Sequence, residues 1–324
     1  MFLLSLRMEI SNLSLFDKNT FGDSRLASRG NYIINALINT GTSVINRMFV
    51  GWDSKMAAFR FLANPKVSKA KIKRSMKYSC IENIKSTDEH ILVIQDTSEF
   101  NFGNHKERIK KTTRKPGQVN NNNPGFFMHT AIAIGAESHT MYGIPHLFTY
   151  NWHPDRTRKK DLNKICKTKP LNERDSHKWV STAWHSMNSI APTNSVTIIG
   201  DRESDIYDLL ALKRKPNVNI LTRITHNRCL ADSELKLFET IEQSLVAGVY
   251  EFKLPSRGHS HKARIVNMEL RYEKVKLKRP FQGKGIAVCE QSLDHVYMQK
   301  NVVKYLMERT LFRGSSTQLT LLIL

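Results

Sequence analysis

The sequence predicts an α/β protein with a small helical region in front and antiparallel strands behind. Apolar residues recur at helical spacing before residue 87, short apolar runs alternate with helical stretches after it, and period-two alternation takes over beyond Arg228. From about Phe16 to Thr87, Leu26, Ile33 and Leu37 repeat at i, i+7, i+11. Met56, Phe59 and Ala63 follow at i, i+3, i+7, and Ile72, Met76, Cys80 and Ile84 keep a four-residue step. Asn64-Pro65 breaks the second helix and Ser68 caps the third. From His90 the runs ILVIQDT, FFMHTAIAI and TMYGIPHLF are spaced as neighbouring strands. Between the first two, basic His105 to Lys115 and the Asn120–Asn123 tract with Pro124-Gly125 read as a mobile loop, which holds DNA or holds nothing. Ser176 to Ile190 reads as a helix, SVTIIGD as a buried strand, Ser204 to Leu212 as a helix behind it, and NVNILTRI as a further strand. Tyr250, Phe252 and Leu254 then alternate, as do Val266, Met268, Leu270 and Tyr272, which leaves Lys253, Arg264, Arg271, Lys274 and Lys276 facing outward.

Charge narrows the function. Among 324 residues, 50 Lys and Arg stand against 29 Asp and Glu, a net charge of +21. Such an excess strains a compact fold unless a polyanion neutralises it, so nucleic acid is the leading partner and a merely basic protein the alternative. The helical region carries Arg25, Arg29, Arg60, Lys69, Lys71, Lys73 and Arg74 on its polar faces. A solvated face explains any one of them, whereas a bundle this basic fits DNA phosphates. A hydrophobic fraction of 40% with 15 Phe and 4 Trp excludes disorder. Cys80, Cys166, Cys229 and Cys289 lie far apart with no C-x-x-C pair, so neither a zinc site nor a disulfide framework is indicated, and a reducing cytoplasm fits. The opening MFLLSLRM is too short for a membrane span, and no apolar run of about 18 residues occurs elsewhere, so no membrane is expected.

Two aspartates follow buried-looking strands: Asp96 in ILVIQDTSEF and Asp201 in SVTIIGDRESD. A carboxylate at such an edge can face a cleft while the strand holds it rigidly. Hard divalent ions such as Mg²⁺ take oxygen ligands and keep several waters, so two or three converging carboxylates suffice. Each Asp taken alone is more often a turn or cap residue than a metal ligand, and Glu203 and Asp205 read as extra ligands or, more simply, as the acidic first turn of the next helix. No H-E-x-x-H spacing appears among the 12 histidines, and His129 and His153 read as packed or surface residues.

GDSRLASR (22–29), AAFRFLANPKVS (57–68), QDTSEF (95–100) and IIGDRESDIYDLL (198–210) together resemble the bacterial insertion-sequence-four, or Tn-five-like, family of DDE transposases, from about Phe16 to Tyr272. The resemblance implies a helical domain over residues 1–86 that binds transposon ends, then a ribonuclease-H-like core over 87–290 carrying a β insertion at about 228–285. Asp96 and Asp201 match the first and second catalytic, metal-binding aspartates. Arg25 and Arg29 match basic residues of the end-binding domain, and Arg223 in LTRITH sits where the family places a DNA-contacting arginine. With Arg60 and Arg202 they form the expected DNA-binding set. Mg²⁺, with Mn²⁺ as an alternative, is the implied cofactor. The implied partners are double-stranded DNA, as transposon ends and target, and a second copy in a homodimer on DNA, in a bacterial cytoplasm.

The third carboxylate departs from the family pattern. Its Y-x-x-R-x-x-x-E string does not occur in this sequence, and residues from about Ala287 onward match nothing in the family. A frameshift accounts for a tail over 291–324: if the last base of each codon is read with the first two of the next, Met307 followed by Glu308 gives a Gly. The neighbours then permit V-S-D-G-K-N-P-I-P-W-L-L for Lys304 to Ser316, which resembles the family's N-P-x-x-W-x-L-L strand. A natural short protein with an unrelated tail is the alternative. Three function classes follow: a transposase inactive as written; a DNA-binding remnant that occupies ends or inhibits an intact copy; and a general Mg²⁺-dependent nuclease using Asp96, Asp201 and Glu203. Met8 is an alternative start to Met1, with residues 1–7 dispensable.

Overall fold

A computed structural model of the chain describes residues 14–110, 117–152, 171–192, 194–256, 263–278, 293–304 and 318–323. The chain divides into two compact units, residues 1–86 with 143–145, and residues 87–142 with 146–324.

The first unit is helical among its described residues: α1 (Ser24–Thr40), α2 (Ile45–Met48), α3 (Trp52–Ala63) and α4 (Lys69–Ile84). Asp23 caps α1 by accepting from the Arg25 N–H at 3.0 Å, and Gly41 ends it in the left-handed conformation, φ 63°, where a side chain would be strained. Ser68 caps α4 through the Lys71 N–H, as its position before the helix indicates, and α3 stops at Ala63 before Asn64-Pro65. Phe16, Phe21, Ala27 and Phe61 form one buried cluster; Met48, Phe49 and Ala58 form another. The apolar face of α3 differs from the sequence expectation: Ala58 and Phe61 are buried, while Phe59 is exposed and Met56 only partly covered. Phe61 faces inward because the Phe21 ring meets it edge-on, centroids 5.7 Å apart.

The second unit is built on β1 (Ile91–Asn101), β2 (Gly125–Gly135), β3 (Met141–Tyr150), β4 (Val196–Gly200), β5 (Val218–Ile224), β6 (Val246–Leu254), β7 (Arg264–Leu277), β8 (Leu293–Lys304) and β9 (Gln318–Ile323). These join in one mixed sheet in the order β3-β2-β1-β4-β5-β9-β8-β7-β6. The central β1, β4 and β5 run parallel, and β2 is antiparallel to β1. Strict alternation on β5 buries Val218, Ile220, Thr222 and Ile224 on one face. The amphipathic His177–Ile190 helix buries Trp179, Val180, Ala183, Met187 and Ile190.

Several expectations are corrected. The helix expected over Ser204–Leu212 is a 3-10 turn, Arg202–Ser204, followed by the single turn Tyr207–Leu210. A short helix, Leu237–Gln243, interrupts the region expected to be all β. On β7 the faces differ from the alternation reading: Tyr272 points to solvent, while Arg271 is largely covered and bonds to Glu269 and to the carbonyls of Glu242 and Ser244. The loop expected between β1 and β2 contains Gly103–His105 and Asn120–Asn122 as 3-10 turns and Lys106–Lys110 as a helical turn; residues 111–116 lie outside the described residues. So do His153, Cys166, Cys289, Met1 and Met8. In the segment read as an out-of-frame tail, β9 pairs with β5 and β8 pairs with β7.

Candidate active site

Strand register sets the position of the two aspartates. β1 and β4 pair in parallel from Ile91↔Val196 to Ile94↔Ile199, so Asp96 and Asp201 each stand two residues beyond the last pair, where β4 has ended and β1 runs on. Asp96 does not follow its strand, as the sequence suggests, but lies within it. Antiparallel pairing with β2, Asp96↔Thr130 included, carries β1 on to Asn101 after β4 has ended. β4 stops at Gly200 because the chain turns tightly there: a Cβ on Gly200 would lie 2.5 Å from the Ser204 side chain. Asp201 caps the turn that follows, its Oδ1 accepting from the Glu203 N–H at 2.9 Å. Asp96 Oδ1 accepts from the Thr97 N–H at 2.6 Å. The Oδ2 of each has no protein partner among the described residues.

Both aspartates line a cleft of about 380 Å³, together with Glu99, Asn120, Asp175, Lys178 and Glu203. Among the described residues no three His, Cys, Asp or Glu side chains converge into a ready-made metal site. The donor set nonetheless suits Mg²⁺, a hard ion usually bound by one or two carboxylates, with water and substrate phosphate completing its shell. Asp96 and Asp201 each offer one such oxygen.

Lys178, in the first turn of the His177–Ile190 helix, reaches the cleft from a buried position. Its Nζ donates to the Tyr150 hydroxyl at 3.0 Å and to Glu203 Oε2 at 3.4 Å. Burial opposes its charge, but the bonds to Tyr150 and the proximity of Glu203 more than offset this, so its pKa is raised. Behind Asp96, fully buried His129 bridges the Thr97 hydroxyl at 2.8 Å and Gln95 Oε1 at 3.1 Å and meets the Trp179 ring edge-on. Desolvation, reinforced by Lys178, lowers its pKa to about 3, so it is neutral and packs, as its sequence context indicates.

Glu203 and Asp205, alike in sequence, part company here. Glu203 is exposed at the cleft, whereas Asp205 is buried beneath it. Asp205 Oδ2 accepts from the Thr225 N–H at 2.7 Å, the His226 N–H at 2.9 Å and His226 Nδ1 at 2.9 Å, and Arg228 pairs with its other oxygen. Burial alone would raise its pKa, but Arg228 and these donors outweigh that and lower it. Asp205 thus ties the turn after β4 to the end of β5, and its oxygens are already engaged.

In the helical unit, Arg25 is almost fully exposed, its Nε 3.4 Å from Asp23. The Arg29 guanidinium lies 5.5 Å from the Tyr32 ring centroid, and Arg60 is exposed on α3. In the second unit, Arg202 is exposed directly after Asp201, and Arg223 lies on β5 opposite Thr320.

Sequence reasoning missed Lys178, Tyr150 and Asp175 at the cleft, and Arg228 beneath it. One signal was available: Lys178, Thr182 and Ser186 place buried polar groups at i, i+4, i+8 along an otherwise apolar helix face. The Asp205–Arg228 pair spans a strand and leaves no local pattern.

Residues 14–67 match a family model described as transposase DNA-binding. A comparison with curated proteins finds no match. Among solved structures, the chain is similar to a cryo-EM structure of the piggyBac transposase synaptic complex with hairpin DNA, at 10% identity and a TM-score of 0.37. That alignment covers 99% of this chain and 55% of the other, so the chain spans about half the length of that protein. No helix among the described residues is long and apolar enough to cross a membrane.

Proposed function

We propose that this chain is a DNA transposase of a bacterial insertion sequence, of the insertion-sequence-four type, acting in the cytoplasm. The observation that carries the reading is the transposase DNA-binding match over residues 14–67, and the placing of Asp96 and Asp201 on one cleft, each two residues beyond the last pair of the adjacent parallel strands β1 and β4, supports it independently. In this reading α1 to α4 bind transposon ends through Arg25, Arg29 and Arg60, while Arg202 and Arg223 hold DNA near the cleft, in a core of ribonuclease-H-like type. Asp96 and Asp201 would hold Mg²⁺ or Mn²⁺ through their unengaged oxygens. When bound, such ions supply activation of the attacking hydroxyl and stabilisation of charge on the phosphodiester. The chain's own part is rigidity: β2 holds β1 in line through Asp96, and the Asp201 cap fixes the turn after β4.

Because the family's Y-x-x-R-x-x-x-E string is absent, the 324-residue chain is expected to bind ends without completing strand transfer. The test is selection from random duplex DNA, followed by incubation of the selected sequence with the chain in Mg²⁺. A specific enriched sequence left uncut supports the reading. Absence of any enrichment would refute it, and cutting without sequence preference would favour a general nuclease.

A further inference from the structure

Lys178 is the cation among the described residues of a cleft otherwise rich in carboxylates, those of Asp96, Glu99, Asp175, Asp201 and Glu203. It is only 8% exposed. Taking an ammonium out of water is costly even after relaxation, so a lysine merely balancing surface acids would lie outside. Glu203, its carboxylate partner, has a side chain 67% exposed and a contact of 3.4 Å, too loose to be the reason for that burial. An ammonium carries three N–H donors. Tyr150 and Glu203 take two, leaving one for a ligand. Tyr150 is neutral and holds Lys178 in place without cancelling its charge. A phosphodiester entering between these carboxylates needs positive charge from the protein as well as from metal.

We propose that Lys178 is the phosphate-binding residue of the cleft, donating to a non-bridging oxygen of the DNA phosphodiester placed against Asp96 and Asp201. This rests on the reading of the cleft given under Proposed function. On arrival of the phosphate, the third N–H of Lys178 donates to the anion while the bonds to Tyr150 and Glu203 hold the side chain in place.

The experiment uses the full chain with two probes, Mn²⁺ followed by electron paramagnetic resonance, and thymidine 3′,5′-bisphosphate followed by calorimetry in saturating Mn²⁺. Lys178→Met should weaken the bisphosphate about tenfold or more, the loss of one hydrogen bond between charged groups. Mn²⁺ affinity should hold or rise, because a positive charge facing the carboxylates has gone. A purely structural lysine would not split the two probes in this way. If Lys178→Met changes bisphosphate affinity by less than about twofold, Lys178 is only a counter-ion and the proposal is overturned. Should that variant melt early, Lys178→Arg decides: retention of affinity within about threefold supports the proposal, and a loss of about tenfold overturns it. Mn²⁺ binding without bisphosphate binding in the unmodified chain also overturns it. Failure of that chain to bind Mn²⁺ removes the metal reading of the cleft itself, and this proposal with it.

Discussion

Replacing Asp205 by Asn should destabilise the second unit severely while leaving both cleft aspartates in place. Asp205 is 2% exposed, and its carboxylate accepts from the Thr225 and His226 N–H groups at 2.7 and 2.9 Å while pairing with Arg228. Removing its charge leaves the Arg228 guanidinium, itself mostly buried, without its anion, and breaking a buried pair from one side costs about 3–5 kcal/mol. Urea denaturation at neutral pH measures this directly. Arg228→Met in the same chain should recover part of the loss, since no uncompensated cation then remains, giving a coupling of more than about 1 kcal/mol. The pH dependence has a definite sign. The folded pKa of Asp205 lies below the ordinary value of 3.8, so its contribution is complete above that value and is lost as pH falls through the lower folded one. The gap between Asp205→Asn and the parent should therefore narrow on acidification. A cost under about 1 kcal/mol, or strict additivity with Arg228→Met, would refute the clamp.

Gly30→Ala should destabilise the helical unit by about 1–3 kcal/mol, seen as a lower melting temperature, because its Cβ would lie 2.6 Å from the Phe16 ring in a filled core. Glu89 accepts from the Glu137 and Ser138 N–H groups, the Ser138 hydroxyl and Tyr142, and the Tyr142 bond foremost lowers its pKa to about 2. Amide exchange at Ser138 should therefore stay slow on acidification until pH approaches about 2 and accelerate below it, whereas Glu89→Gln should speed it at neutral pH. Arg29→Ala should weaken DNA binding and reduce the slope of log affinity against log salt by about 0.9, the signature of one lost phosphate contact.

The strands of the second unit and the helices of the first were legible because their signals are local: β2 and β5 carry apolar runs, and Ser68 and Asn64-Pro65 punctuate the helices where they stand. Asp96 and Asp201 were legible as candidates from the apolar runs before them. Their shared register was not, since it arises from pairing between segments about a hundred residues apart. The burial of Phe61 in place of Phe59 likewise depends on a partner ring, Phe21, that periodicity within α3 does not contain. Glu203 and Asp205 show the same limit, because only the return of β5 with Arg228 separates an exposed carboxylate from a buried one.

The claim that Asp96 and Asp201 form one metal-holding pair is tested most directly by Mn²⁺ titration of the full chain and of Asp96→Ala and Asp201→Ala. Each single variant should lose the same site, with affinity falling at least about tenfold, because each aspartate supplies one unengaged oxygen to a shared ion. Unchanged Mn²⁺ affinity in either variant would contradict the account.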